Sequence, residues 1–285
     1  MNMAAALTHP SLAGFREKLR PVRHVALDMD GTIYKGGTLF PFTPPFLQLL
    51  RTLGIGYTFL TNNPSKSVAD YLASLQKMGL TVQREELHTS AQATIDCLRA
   101  RFPRIQRLFL LGTPSMIAEF EAAGFVSTRD SSDDEPDAVV VAFDTTLTFS
   151  RLGRACWWIR QGKTYLATNP DFVCPTDQPT VLVDCGSICA AIEKAAGRRP
   201  DVTLGKPDPD MLGGILARHG LKPHEVAMVG DRMYTDIRMA KQAGAAGVLV
   251  LSGEATAGDA ARAEIKPDLV VPSLAELGEL FATLD

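Results

Sequence analysis

The run Val25-Ala26-Leu27-Asp28-Met29-Asp30-Gly31-Thr32 decides how this sequence folds. Three apolar residues, typical of a strand buried on both faces, lead directly into two carboxylates one residue apart. Ligands of a parallel α/β sheet collect beyond the carboxyl ends of its strands. Two like charges this close need a cation, a proton or an anionic substrate held through a metal, and hard oxygen ligands favour Mg²⁺. The run therefore predicts a magnesium and anion site at the end of a strand, where Gly31 turns the backbone, although alone it also fits a plain acidic turn.

Short apolar runs alternate with amphipathic helical patterns along the rest of the chain. A helix after Ser67 begins with a capping box to Asp70, and two further helices end near Gly197 and Gly244. This alternation predicts an α/β fold with a buried parallel sheet. The predicted strands are Val22–Leu27, Gly56–Leu60, Leu108–Leu111, Ala138–Phe143, Thr164–Ala167, Val226–Val229 and Gly247–Leu251.

The length of 285 residues suggests about two domains. Residues 100–185 contain a strand–helix set of their own and a polar acidic loop, Asp130–Pro136. We therefore predict one α/β core formed by residues 1–99 and 186–285, with a second α/β module, residues 100–185, inserted between its halves.

Two further motifs supply groups suited to phosphate. In Thr58–Ser65 an apolar strand ends at Thr61-Asn62-Asn63, where hydroxyl, amide and helix N-terminal N–H groups could bind phosphate oxygens. Lys206, between a glycine and a proline, offers a compact positive charge on constrained backbone. Each motif has an ordinary alternative, a helix cap for the first and a surface loop lysine for the second.

A second pair of acids follows another apolar strand. Asp231 comes directly after the strand that ends near Val229, and it could complete a magnesium site with Asp28. Asp236, five residues later, could orient the metal's waters or Lys206, or simply cap a helix. All of these motifs fall where strands of one sheet end, and their coincidence favours a catalytic site over separate structural turns.

The runs DMDGT, FLTNN, GKPDP and GDRMYTD, in this order, resemble the four motifs of the haloacid dehalogenase (HAD) superfamily. The stretch between Thr61 and Lys206 resembles the cap of subclass IIA, which includes para-nitrophenyl phosphatase, phosphoglycolate phosphatase, pyridoxal phosphate phosphatase and nucleotide or sugar phosphatases. The resemblance implies a Rossmann-like, doubly wound parallel-sheet core with an inserted α/β cap domain.

The resemblance also implies a role for each motif residue. Asp28 is the nucleophile that forms an aspartyl phosphate, and Asp30 is the general acid and base. Asp28, Asp231 and the main-chain carbonyl of Asp30 bind Mg²⁺, and Asp236 supports the metal site. The residues expected to bind phosphate or substrate are Gly31, Thr61, Asn62, Asn63 and Lys206 from the motifs, and Asn169 and Asp171 from the cap.

These roles describe a Mg²⁺-dependent phosphatase that hydrolyses a small phosphate monoester of the sugar phosphate, phosphoglycolate-like, nucleotide or pyridoxal phosphate class. In the superfamily, an acid at the position of Asp30 is associated with phosphatases and mutases. A phosphotransferase or mutase that passes the same phosphoryl group to a sugar hydroxyl is therefore one alternative. A metabolite-binding module without chemistry is another, but it predicts a broken motif.

Composition narrows the expected partners. The formal net charge of −3, with Lys and Arg spread along the chain, predicts neither nucleic-acid binding nor an anionic membrane surface. We find no apolar run of the roughly 18 residues that span a bilayer, and Met1–Pro10 is a poor signal peptide. Five cysteines without metal spacing suggest reduced thiols in the cytoplasm. The expected partner is thus a small phosphorylated metabolite, and the cap resemblance makes a homodimer plausible.

Overall fold

The computed structural model describes residues 12–175 and 180–284. Residues 1–10, on which the signal-peptide prediction depends, lie outside the described residues. The strands are β1 (His24–Asp28), β2 (Tyr34–Lys35), β3 (Thr38–Leu39), β4 (Gly56–Thr61), β5 (Leu87–Thr89), β6 (Arg107–Leu111), β7 (Val126–Ser127), β8 (Ala138–Val141), β9 (Thr164–Ala167), β10 (Val173–Pro175), β11 (Val181–Val183), β12 (Val202–Thr203), β13 (Val226–Gly230), β14 (Ala246–Val250) and β15 (Leu269–Val271).

The α-helices are α1 (Leu12–Leu19), α2 (Thr43–Thr52), α3 (Val68–Lys77), α4 (Ser90–Arg101), α5 (Pro114–Ala122), α6 (Phe149–Arg160), α7 (Cys185–Ala196), α8 (Asp210–His219), α9 (Arg238–Ala243), α10 (Ala257–Arg262) and α11 (Leu274–Phe281). Short 3₁₀ turns lie at Arg84–Glu86 and Pro223–Glu225, and a π-helical turn spans Met233–Ile237. None of these helices is both long enough and apolar enough to cross a membrane.

The predicted α/β class is confirmed, and all seven predicted strands are present as β1, β4, β6, β8, β9, β13 and β14, with ends shifted by at most two residues. Four strands of the larger sheets, β5, β7, β12 and β15, were not predicted. Each is two or three residues long and lies at a sheet edge. Edge strands are often this short, and a run of two or three residues is below the four to eight that a strand pattern needs.

One compact unit comprises the described residues up to Thr58 and those from Ile215 onward. Its strands lie in the order β15-β14-β13-β1, followed by the start of β4. β1 and β13 run parallel, with His24 opposite Val226, and every residue of both strands is buried. The chain leaves β1 toward β4 and leaves β13 toward β14, on the other side. The carboxyl ends of β1 and β13 therefore flank a topological switch point, where open α/β sheets bind ligands.

The other unit comprises residues 59–214. Its main sheet is parallel, in the order β12-β9-β8-β6-β7, and alternate residues of the three inner strands β6, β8 and β9 enter different cores. Leu110 and Val140 pack in one hydrophobic cluster, and Leu111 and Val141 pack in another. Both faces of the inner strands are covered, which explains why their residues are apolar apart from the first residues of β6 and β9. The end of β4 pairs in parallel with β5, and β10 and β11 pair with each other in antiparallel orientation.

The predicted helix ends are confirmed. Ser67 and Asp70 form a reciprocal capping box at the start of α3, while Gly197 and Gly244 end α7 and α9 in the left-handed conformation. The division into a core of 1–99 and 186–285 with an insert of 100–185 stays a prediction.

Candidate active site

Asp28 is the last residue of β1, and its side chain is 9% exposed. The following turn folds back on this strand end, because the main-chain N–H groups of Thr32 and Ile33 donate to the Met29 carbonyl at 3.2 and 2.9 Å. Thr32 Oγ1 also lies 3.5 Å from Asp28 Oδ2 as a donor. Gly31 adopts a φ of 87°, a value that a side chain would strain, so the predicted turn at this glycine is confirmed.

Asp231 and Asp236 lie close to Asp28. Asp231 follows the buried strand β13, and Asp236 lies in the π-helical turn that precedes α9. Within the part of the chain that the structure describes, carboxylate oxygens of the three residues lie within 4.8 Å of one another, and all three side chains are buried. The main-chain N–H of Glu254 donates to Asp231 Oδ2 at 2.7 Å, and that of Arg232 donates to Asp236 Oδ2 at 3.1 Å. We call these three residues the carboxylate cluster.

Glycines make room for this cluster. A Cβ atom on Gly253 would lie 1.9 Å from Asp231 Oδ2, and one on Gly31 would lie 2.3 Å from the same oxygen. A Cβ atom on Gly230 would lie 2.3 Å from Asp236 Cγ. Backbone therefore surrounds two of the carboxylates so closely that any side chain at these three positions would displace them.

The electrostatics of the cluster fit a divalent cation. Burial, followed by the charges of Asp28 and Asp236, raises the pKa of Asp231 to about 7. Asp231 Oδ1 is buried and has no hydrogen-bond partner among the described residues. Mg²⁺ and Ca²⁺ prefer oxygen ligands, and a group of buried carboxylates with an oxygen that accepts no hydrogen bond offers such ligands. Asp28, Asp231 and Asp236 would therefore suit such an ion.

Asp30 has a different environment. Its side chain is exposed, unlike that of Asp28. Neighbouring protein groups nevertheless exclude enough water to raise the pKa of Asp30. A hydrogen bond from the Gly36 main chain lowers this pKa in part, and the charge of Asp28 raises it again. The metal contact predicted for Asp30 uses its main-chain carbonyl, so the side-chain cluster does not test it.

The predicted phosphate-binding run lies in the unit of residues 59–214. Thr61 ends β4 and is buried, and its Oγ1 accepts from the Asn63 N–H at 3.2 Å. Asn63 Oδ1 accepts from the main-chain N–H of Ser65 at 2.9 Å and from its hydroxyl at 2.6 Å. Asn63 thus forms the turn that leads toward α3, as the ordinary alternative for this motif expects, and its phosphate contact stays a prediction.

Lys206 lies in the same unit and is 3% exposed. Its main-chain N–H donates to Asn62 Oδ1 at 2.6 Å, and its main-chain carbonyl accepts from Asn62 Nδ2 at 2.9 Å. Asn62 Nδ2 also donates to Asp171 Oδ2 at 3.0 Å. The structure therefore brings together three residues predicted from distant parts of the sequence, but it joins them to one another through an amide side chain.

Asn169 makes a second set of contacts. Asn169 has no exposed surface, and both ends of its amide are satisfied: Nδ2 donates to Asp184 Oδ1 at 3.0 Å, and Oδ1 accepts from Thr168 Oγ1 at 3.0 Å. The predicted substrate contact of Asn169 would need this residue to become uncovered, and it stays a prediction. We call Asn62 and Asn169, with their partners Lys206, Asp171, Asp184 and Thr168, the amide network.

The sequence patterns missed the loop after β14. Ser252 Oγ donates to the Gly31 carbonyl at 2.7 Å, Gly253 packs on Asp231, and the Glu254 N–H binds the same carboxylate. Arg232 is also held here by an ion pair between its Nε and Glu254 Oε2 at 2.9 Å. A signal was present, since Ser252-Gly253 is a polar, glycine-containing turn directly after a predicted strand, like the runs that mark the other motifs.

The chain is similar to proteins of known families along most of its length. Residues 25–126 match the haloacid dehalogenase-like hydrolase family, and residues 203–277 match a HAD-hydrolase-like family. It is 31% identical to ribonucleotide monophosphatase NagD of Escherichia coli over 90% of this chain and 98% of that protein.

Solved structures are similar as well. A 4-nitrophenylphosphatase from Thermotoga maritima has 42% sequence identity and a TM-score of 0.87, covering 92% of this chain and 98% of its own. A glycerol phosphate phosphatase from Mycobacterium tuberculosis in complex with magnesium has 31% identity and a TM-score of 0.83, covering 92% of this chain and 78% of its own. The same phosphatase has also been solved in complex with calcium.

Fold, motifs and relatives agree, and the chain belongs to the haloacid dehalogenase superfamily, in subclass IIA. Within that superfamily it is a phosphoric monoester hydrolase, as its named relatives are phosphatases. The predicted resemblance, the Rossmann-like α/β core and the enzyme class are thereby confirmed, and the alternative of a binding module without chemistry is excluded.

Proposed function

We propose that this phosphatase hydrolyses small phosphate monoesters through an aspartyl phosphate on Asp28. The observation that carries the proposal is the contrast between two neighbouring carboxylates. Asp28 is buried beside Asp231 and Asp236, whereas Asp30 is exposed and has a raised pKa. Different environments for paired acids are how one site obtains a nucleophile and a proton donor at the same pH.

The nucleophile is Asp28. One of its carboxylate oxygens attacks phosphorus, and the bond between phosphorus and the leaving oxygen breaks. Thr32 Oγ1, at 3.5 Å from Asp28 Oδ2, and the turn that begins at Met29 support a fixed position for this carboxylate. Forming a covalent intermediate divides one difficult displacement into two easier ones.

The acid and base is Asp30. In the first step its protonated form gives a proton to the leaving oxygen, which becomes an alcohol. In the second step its carboxylate takes a proton from the water that attacks the aspartyl phosphate, releasing inorganic phosphate and restoring Asp28. A raised pKa favours the protonated form that the first step requires.

The metal is proposed to be Mg²⁺, held by Asp28, Asp231 and the main-chain carbonyl of Asp30, with Asp236 supporting it. Binding to the carboxylate cluster would neutralise charge on the transferring phosphoryl group. The short distances between the three carboxylates, and the magnesium and calcium complexes of the Mycobacterium tuberculosis relative, support a divalent ion.

Thr61 and Lys206 are proposed to hold the phosphoryl oxygens. A hydroxyl and an ammonium group at the buried ends of β4 and of the Gly205-Lys206 segment suit that task, because a dehydrated charge interacts strongly with a phosphate. Gly31, Asn62 and Asn63 are proposed to contribute through their main chains.

The substrate is proposed to be a small phosphorylated metabolite. Relatives named for ribonucleotide monophosphates, glycerol phosphate and 4-nitrophenyl phosphate show how widely the leaving group varies around a common fold. Turnover of a panel of sugar, glycerol, nucleoside and pyridoxal phosphates, compared by kcat/KM, identifies the class.

The decisive test is the Asp28→Asn variant with para-nitrophenyl phosphate and Mg²⁺. We expect a loss of kcat on the order of 10³-fold or more, because the amide is a poor nucleophile. The exposed Asp133→Asn change is the matched control and should leave kcat unaltered. A variant at Asp28 that keeps its activity would exclude this residue as the nucleophile.

A phosphotransferase remains the alternative use of the same intermediate. It differs in the second step, where a sugar hydroxyl replaces water. Release of inorganic phosphate at the same rate as para-nitrophenol, with sugars present and absent, supports hydrolysis. Transfer to the sugar would favour the alternative.

Two further proposals concern the setting of the enzyme. A cytoplasmic location is supported by the absence of disulfides among the five cysteines, all of which lie in described residues. A homodimer rests on the family resemblance of the cap, and light scattering of the purified protein tests it.

A further inference from the structure

We infer that Asn62 is a positioning residue for Lys206, and that Asp171 fixes the orientation of the Asn62 side chain. The inference rests on the proposed function, in which the Lys206 ammonium binds a phosphoryl oxygen. It changes the predicted role of Asn62, whose side chain would act on the protein and not on the substrate.

The first observation is that Asn62 holds Lys206 at two points. Its Oδ1 accepts from the Lys206 N–H at 2.6 Å, and its Nδ2 donates to the Lys206 carbonyl at 2.9 Å. One side-chain amide thus pairs with both main-chain groups of a single residue, as a neighbouring strand would. Because both groups are buried, losing these bonds would leave a donor and an acceptor unsatisfied.

The second observation is that the Asn62 amide has no donor left for a phosphate. An asparagine Nδ2 carries two N–H groups, and here one serves the Lys206 carbonyl and the other serves Asp171 Oδ2 at 3.0 Å. A phosphate contact by Asn62 would therefore have to use its main-chain N–H.

Asp171 explains why the amide points one way. An ionised carboxylate only accepts hydrogen bonds, so it requires Nδ2 on its side of Asn62 and turns Oδ1 toward the Lys206 N–H. Asn62 is held at its main chain as well, where its carbonyl accepts from Ser90 Oγ at 2.7 Å. The Asn62 main chain is therefore held by Ser90, and only one orientation of its amide satisfies both Asp171 and Lys206.

The chain on the Lys206 side is adapted to this contact. Gly205 adopts a φ of 75°, and a Cβ atom there would lie 2.8 Å from Asn62 Oδ1 and 2.9 Å from the Thr168 carbonyl. Only glycine lets the Gly205-Lys206 segment approach Asn62 so closely. With its main chain fixed in this way, the Lys206 side chain extends from one defined point, so its ammonium has fewer positions to lose when it binds an anion.

A double-mutant cycle on inorganic phosphate binding tests the inference. Calorimetry with Mg²⁺ present measures the dissociation constant for the wild type, Asn62→Ala, Lys206→Ala and the double variant. We expect Lys206→Ala to weaken binding by about 10- to 100-fold, the range for a charge-assisted hydrogen bond, and Asn62→Ala to weaken it by about 10-fold. If Asn62 acts through Lys206, the double variant should bind within about two-fold of Lys206→Ala.

Controls separate this coupling from general damage. Lys194 is an exposed lysine on α7, and Lys194→Ala should combine additively with Asn62→Ala. Asn62→Asp keeps an acceptor for the Lys206 N–H but places a second carboxylate beside Asp171, so it should bind phosphate no better than Asn62→Ala. Asn62→Asp in the Asp171→Asn background restores a donor to the pair and should recover part of the loss.

Three outcomes would count against the inference, and they are distinguishable. Losses that add in the Asn62 and Lys206 double variant would mean that Asn62 binds phosphate directly, and they would overturn the inference alone. Equal coupling of Asn62→Ala to Lys194→Ala would mean general misfolding, which also overturns it. No phosphate binding by the wild type, or full binding by Lys206→Ala, would overturn the proposed role of Lys206 and the inference with it.

Discussion

The carboxylate cluster and the amide network are both buried and polar, yet they satisfy their polar groups in opposite ways. In the cluster, three acids lie within 4.8 Å, and one oxygen of Asp231 finds no hydrogen-bond donor among the described residues. In the network, each amide hydrogen bond pairs a donor with an acceptor inside the protein, as for Asn169 with Asp184 and Thr168.

The difference separates groups that await a ligand from groups that hold the chain in place. A buried charge without its partner is costly, and a site keeps such a cost where an ion or substrate removes it on binding. The amide side chains of the network are already satisfied and gain nothing from a ligand, but they fix the residues that they contact, including the main chain of Lys206. We therefore propose that similar residue types after a strand, Asp in one region and Asn in the other, serve ion binding in the first and positioning in the second.

The largest expected effect comes from adding a charge to the satisfied region. Asn169→Asp replaces the donor that faces Asp184 with a second carboxylate in a fully buried position. We expect the free energy of unfolding at pH 7 to fall by about 3–5 kcal/mol, the range for an uncompensated buried charge, as measured by urea denaturation.

Gln48→Glu is the matched control, since it makes the same amide-to-acid change at an exposed position inside α2 and should alter stability by less than about 0.5 kcal/mol. A stable Asn169→Asp protein would show that the amide network tolerates a buried charge as the carboxylate cluster does, and it would contradict the distinction between the two regions.

Removing a charge from the carboxylate cluster should raise the free energy of unfolding of the metal-free protein. The pKa of Asp231 is raised from 3.8 to about 7, so the folded state binds this proton more tightly than the unfolded state does. Stability is therefore highest below pH 4 for this group and is lost as the pH rises toward 7, by up to about 4 kcal/mol at about 1.4 kcal/mol per pH unit.

Thermal unfolding in EDTA at pH 5 and pH 8 measures this effect. Asp231→Asn should unfold at a higher temperature than the wild type at pH 8, with a smaller difference at pH 5. With saturating Mg²⁺ at pH 8, the wild type should unfold at a higher temperature than Asp231→Asn, because the ion binds the folded wild type and neutralises its buried carboxylates. A variant that is less stable than the wild type in EDTA at both pH values would contradict the account of the cluster.

The smallest expected effect concerns the glycines around Asp231. Gly253→Ala places a Cβ atom 1.9 Å from Asp231 Oδ2 and should shift that carboxylate. We expect the Mg²⁺ concentration that gives half-maximal activity to rise about 10- to 100-fold, as for other changes that disturb the orientation of a metal ligand. Gly37→Ala, which meets nothing within 4 Å, should leave the Mg²⁺ requirement unchanged.

The patterns that succeeded in the sequence were the long and local ones. Val25–Leu27 of β1 and Val226–Val229 of β13 are apolar because both faces of these strands are buried, and the ends of the two runs mark Asp28 and Asp231 from the local sequence alone. The capping box at Ser67 and the glycine at the end of α7 are equally local. The short edge strands β7 and β12 were missed because two residues carry no periodicity.

The sequence by itself determined the α/β class, the family and the chemical types in the site, because strand-end acids, a constrained lysine and buried apolar runs are written in consecutive residues. Tertiary structure decided what each polar group does. Two contacts join segments far apart in sequence: Gly253 packs on Asp231, and Asn62 forms hydrogen bonds with the main chain of Lys206. Each polar group has a fixed number of donors and acceptors, and which partners satisfy them depends on distances in the folded chain that the order of residues does not specify.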